Sequence, residues 1–153
     1  MNDSIEYMIL IPMMILLIFL FPMLVNATMN YWANDRKSLA LQETASHLSS
    51  SILQIYQSLN HTSILTCNIT SNLNSPPLIE GYAYTGKATL MTVGSGNILL
   101  VTLNLADSTI STTTAVALGQ NAAWQSSNFT SSSASACIKA DKFQNQTIQL
   151  AFG

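Results

Sequence analysis

Tyr7 to Val25, YMILIPMMILLIFLFPMLV, is a run of 19 residues without a charge, and any fold the chain adopts must leave this run covered. As a helix it is long enough to cross a bilayer. A cleaved secretory signal would carry basic residues ahead of the apolar run, whereas MNDSIE offers Asp3 and Glu6 and no Lys or Arg. The core helix of a soluble domain keeps one polar side, and this segment has none. Pro12 and Pro22 each delete a backbone donor. Within a membrane that is tolerated where neighbours serve the freed carbonyls, and a bundle of identical helices supplies such neighbours.

The flanks set a second constraint. Acidic residues precede the span, and Arg36 and Lys37 follow it, which by the positive-inside rule would hold residues 38–153 in the cytoplasm. The composition beyond residue 38 points the other way. Only 8% of the chain is charged, while 19 Ser, 15 Thr and 13 Asn supply a neutral hydroxyl and amide surface that suits an extracellular setting. A basic leader removed from ahead of Met1 on the cytoplasmic side reconciles the two. The net charge of −2 leaves no basic field for nucleic acid.

The apolar helix is expected to continue. No Gly or Pro occurs between Pro22 and Pro76. Leu41, Ala45, Leu48, Ile52, Ile55 and Leu59 recur at spacings of 4, 3, 4, 3 and 4, one face of a helix. The opposite face carries Glu43, Ser46, Ser50, Gln54 and Gln57. That stripe predicts packing of the helix beneath a separate domain.

Glu6 just before the apolar run, Pro22 within it and an amphipathic continuation together resemble the type IV pilin superfamily. The stretch IEYMILIPMMILLIFLFP is also similar to the start of TadE-type pseudopilins, and the low charge with abundant Ser, Thr and Asn is similar to archaeal pilins. The resemblance covers about the first 60 residues. It implies a homo-oligomeric helical filament of major pilin subunits, anchored in the membrane before assembly and dependent on a prepilin peptidase and a pilus assembly machinery. It assigns Glu6 to registering the helix against a neighbour, with Pro12, Ile15, Leu16, Phe19, Phe21 and Pro22 as helix–helix contacts. Read from the residues alone, Asp3 and Glu6 complement the positive end of the helix dipole, with Asp3 or Ser4 as the cap.

The remainder is expected to make the fold α+β, with the long helix packed against a small antiparallel sheet or sandwich. Residues 1–35 form the apolar stem, 36–62 its amphipathic continuation, 63–77 a linker and 78–153 a β-rich extracellular head. Ala88–Val93, Asn97–Leu105, Thr109–Leu118 and Thr147–Phe152 read as strands, with Gly94-Ser95-Gly96 turning the first into the second. Asn68–Pro77 reads as the linker and Ser126–Ser135 as a low-complexity loop. Outside the cell, Cys67 and Cys137 pair as one disulfide, which would stabilise by about 4 kcal/mol through loop closure; two free buried thiols are the alternative.

Six N-glycosylation sequons occur, about twice the number that this composition gives by chance. Asn2 and Asn26 flank the apolar span, while Asn60, Asn68, Asn128 and Asn145 fall in segments where a glycan fits. Enzymatic activity is not expected. His47 and His61 have no partners at metal-ligand spacing, and neither a nucleophile elbow nor a phosphate loop is present. No cofactor is expected beyond N-linked glycans. The competing functions are a minor pseudopilin of a pilus or secretion machine and a single-pass surface binding protein.

Overall fold

The computed structural model describes residues 3–133 and 136–153, the first five of these by backbone alone. The chain is α+β. One helix, α1 (Asp3–Leu59), precedes eight strands: β1 (Cys67–Asn72), β2 (Tyr84–Val93), β3 (Gly96–Leu105), β4 (Ser111–Leu118), β5 (Ala122–Trp124), β6 (Asn128–Thr130), β7 (Cys137–Lys142) and β8 (Ile148–Phe152). They form two four-stranded sheets, ordered β1-β7-β8-β5 and β4-β3-β2-β6. Every pairing is antiparallel except β5 with β8. The chain falls into two compact units, Met1–Arg36 and Lys37–Gly153.

In the second unit the helix supplies the floor of the core. Leu41, Ala45, Leu48, Ile52 and Leu59 are no more than 2% exposed, Ile55 is half-buried, and Tyr56 joins the buried face. Strand β3 alternates along its whole length and β2 as far as Leu90, turning Tyr84, Gly86 and Ala88 and then Leu99, Val101, Leu103 and Leu105 inward. Ile138 and Ala140 on β7 and Ile148, Leu150 and Phe152 on β8 close the core from the other sheet. The two-residue turn Gly94-Ser95 joins β2 to β3 with Gly94 at φ 59°, a conformation that costs glycine nothing.

Polar contacts fix the helix against the strands. The Ser49 hydroxyl donates to Thr114 Oγ1 on β4 at 2.9 Å. Tyr56 Oη donates to Asn121 Oδ1 at 2.6 Å and accepts from the Gly119 amide at 2.9 Å, holding the β4–β5 turn. Lys142, only 3% exposed, turns its Nζ inward and donates to the carbonyls of Leu59 (2.8 Å) and His61 (3.0 Å). The last turn of α1 has no basic residue of its own, so this ammonium serves the orphan carbonyls and the negative end of the dipole.

Four aromatic rings join the sheets. Trp124 meets Phe152 at 4.9 Å, Phe152 meets Phe129 at 4.8 Å, and Phe129 meets Tyr84 at 6.2 Å, all edge to face. Tyr84 is fully buried, its hydroxyl donating to the Pro76 carbonyl and hydrogen-bonded to the Ser75 hydroxyl, each at 2.9 Å. Burial raises its phenol above the usual value, and the Ser75 contact partly opposes the shift. Phe129 lies directly across Gly86 in the β2–β6 register. A Cβ at Gly86 would sit 2.6 Å from Phe129 Cζ and 2.9 Å from Leu103 Cδ2. Gly86→Ala is therefore expected to destabilise the head by about 2 kcal/mol as the ring is forced off its neighbours, measured by urea denaturation.

Three expectations need correcting. Cys67 and Cys137 are free thiols. They sit at opposite ends of the β1–β7 ladder, Cys67 facing Lys142 and Cys137 facing Asn72. Five residues of strand separate them by about 17 Å along its axis, far beyond disulfide reach. Asn68–Pro77 is not wholly linker, because β1 occupies its first half. Ser126–Ser135 is not wholly loop, because β6 lies within it; Ala134 and Ser135 fall outside the described residues.

Candidate assembly helix

The most exposed apolar surface belongs to the first unit. Sixteen large hydrophobic side chains between Met8 and Val25 are 37–79% exposed, on every side of α1. Among them Ile15, Leu16, Phe19 and Phe21 are 52%, 57%, 76% and 64% exposed. Covering a side chain of this kind contributes about 1.5–3 kcal/mol, so the full set amounts to roughly 25–50 kcal/mol. This is one helix long and apolar enough to cross a membrane, with a mean hydropathy of 2.8 over its 18-residue window.

Both prolines lie inside the helix without ending it. Pro22 leaves the Ile18 carbonyl without its usual donor, and Pro12 does the same for Met8. At Pro22 a wholly apolar notch of about 460 Å³ opens, lined by Met14, Leu17, Ile18, Phe21 and Pro22. Six residues further on, the Thr28 hydroxyl folds back onto the carbonyls of Leu24 and Val25, at 2.9 Å each. Such a bond meets a hydroxyl's needs where no water reaches it. Glu6 is helical, and its side chain lies outside the described residues.

The other predicted residues are spread over the second unit. Asn60, Asn68, Asn128 and Asn145 are all exposed. Asn60 follows the end of α1 and accepts from Asn121 Nδ2 at 2.9 Å. Asn68, on β1, donates to the Asp141 carboxylate. Asn128 opens β6, and Asn145 lies in the β7–β8 turn. Asn26 is on α1, while Asn2 falls outside the described residues. His47 lines a groove of about 410 Å³ with Glu43, Asn74 and Pro76, and His61 pairs its Nδ1 with Ser63 Oγ at 2.7 Å. Among the described residues no group of three His, Cys, Asp or Glu is placed to hold a metal.

Two contacts had no signal in the apolar pattern. Lys142 alternates with Ile138 and Ala140 at inward positions, where a charge ordinarily argues against a strand. Lys37 sets its Nζ 4.1 Å from the centroid of Tyr82, a cation–π contact between helix and head made by residues 45 positions apart. Comparison with known proteins finds no family pattern, no characterised relative and no solved structure that matches this chain.

Proposed function

We propose that the chain is the repeating subunit of an extracellular filament of the type IV pilin kind. Before assembly its apolar helix anchors it in the membrane; in the filament the same surface packs against copies of itself, and glycosylated heads form the coat. The observation that carries this reading is the exposure of sixteen large hydrophobics on a helix whose later turns are built into the core of a β-rich domain. A helix made only to anchor needs no such union with the domain that follows. Because α1 runs on into the domain that follows, packing of the helices gathers the attached heads around them. A non-closing repeat of that contact yields a helical fibre.

The remaining features support the same reading. The notch at Pro22 is a socket for a neighbour's apolar side chain, and the neutral Ser/Thr/Asn surface suits a coat that meets the outside directly. Electron microscopy of cell-surface fibres, combined with mass spectrometry of their subunit, tests it. The chain should account for nearly all fibre mass. Trace amounts would make it a minor pseudopilin, and recovery from membranes alone would make it a single-pass binding protein.

A further inference from the structure

The β7–β8 turn holds a side-chain arrangement that its sequon alone does not convey. Lys142 pairs with Ile148 across the two strands, and both turn inward. Phe143 and Thr147, one step further along, therefore face outward, and Phe143 is 45% exposed. The Phe143 amide donates to the Thr147 carbonyl at 3.0 Å, and the Gln146 amide donates to the Phe143 carbonyl at 2.9 Å. Gln146 sits at φ 65°, the left-handed residue that follows a type I turn and forms a bulge. This folds Asn145 back over the outer face, where its Oδ1 accepts the Thr147 amide at 3.1 Å. That bond orients Nδ2 away, with no protein partner among the described residues. Phe143, Asn145 and Thr147 are thus brought together on one hydrogen-bonded five-residue turn.

An open depression of about 810 Å³ adjoins it, lined by Cys67, Asn68, Asp141, Phe143 and Asn145. It gives a bulky substituent on Asn145 somewhere to lie.

We infer that Asn145 is a built N-glycan site, in which the first sugar of the attached saccharide stacks on the Phe143 ring and the glycan stabilises the head. A pyranose presents an apolar face of C–H groups, which complements the electron-rich face of an aromatic ring. The other sequons lack this cradle. Two residues before Asn60, Asn68 and Asn128 stand Ser58, Thr66 and Ser126, none of them aromatic. Asn68 moreover commits its Nδ2 to Asp141. In the transfer, Asn145 Nδ2 forms a bond to the anomeric carbon of a polyprenyl-phosphate-linked saccharide. The bond from that carbon to the phosphate oxygen breaks with its electron pair leaving on the oxygen, and Nδ2 gives up one proton to a base. No electrons change hands overall.

The inference rests on the head being exported, so its test separates the two. The full chain and its Phe143→Ala variant are produced in a host that N-glycosylates exported proteins and in one that does not. Site occupancy is read by glycopeptide mass spectrometry, and the melting temperature by near-ultraviolet dichroism in detergent. Asn145 should carry sugar, and glycosylation should raise the melting temperature by roughly 4 °C in the parent and not in Phe143→Ala. Sugar on Asn60 or Asn128 with Asn145 bare overturns the site while leaving export standing. An equal thermal shift in both chains overturns the stacking. Sugar on none of the four overturns the site and the export reading together.

Discussion

Ile52→Asp is expected to abolish cooperative folding of the head, seen as loss of the near-ultraviolet signal and of any thermal transition in the second unit. Ile52 is fully buried in α1 at the centre of the helix-facing core. The substitution removes about 3 kcal/mol of apolar burial. It also strands a carboxylate among aliphatic groups, which costs several kcal/mol more or forces the group to take up a proton. The sum, about 5 kcal/mol or more, equals the whole stability of many domains. Gln54→Asp, two residues along on the exposed face, is the control and should move stability by less than about 0.5 kcal/mol. If Ile52→Asp melted within 1 °C of the parent, this part of α1 would not be the floor of the core.

The same helix shows where the residue pattern is an incomplete guide. The spacing 4, 3, 4, 3, 4 places Ile55 and omits Tyr56, yet Tyr56 is buried and Ile55 only half so. At 3.6 residues per turn Ile55 falls about 40° to one side of the line through Leu41 and Leu59, while Tyr56 falls about 60° to the other. The strands lie toward the Tyr56 side, and its hydroxyl finds Asn121 and Gly119 there. A hydropathy pattern ranks isoleucine above tyrosine and cannot see those partners.

Strands β2, β3, β4 and β8 were legible from their Thr, Val, Ile and Leu content and from the Gly94 turn. β5 and β6 were not, because three residues are too few to show alternation. β1 is polar and rich in asparagine, a composition shared with turns, and becomes a strand through pairing with β7. β7 was hidden by Lys142, whose inward position is explained only by the end of α1 some eighty residues earlier in the chain. The disulfide expectation failed on register. Two cysteines on paired strands bond only when they stand opposite one another, and a five-residue offset leaves no information in their count.

Leu17→Arg is expected to abolish filaments while leaving the subunit in the membrane, and so to separate the two roles assigned to the apolar helix. Twelve Leu, Ile, Phe and Val between Met8 and Val25 favour insertion by roughly 4–7 kcal/mol in total, whereas one Arg at the centre of a span opposes it by about 3. Insertion therefore survives, because a single guanidinium can reach toward the interface and draw water with it. A filament core allows neither escape. Leu17 lines the notch at Pro22, and in a fibre each copy would bring one unpaired cation into contact with apolar neighbours. Desolvating that charge costs several kcal/mol per subunit and recurs at every repeat. Membrane fractionation should find the variant beside the parent, and the head should melt within 1 °C of it. Electron microscopy should then find no fibres. An anchor-only helix predicts a silent substitution, since lipid adapts to the charge and nothing else need fit. Parent-level fibre yield from Leu17→Arg would remove Leu17 and the notch from the subunit contact and take from the filament reading its main physical support.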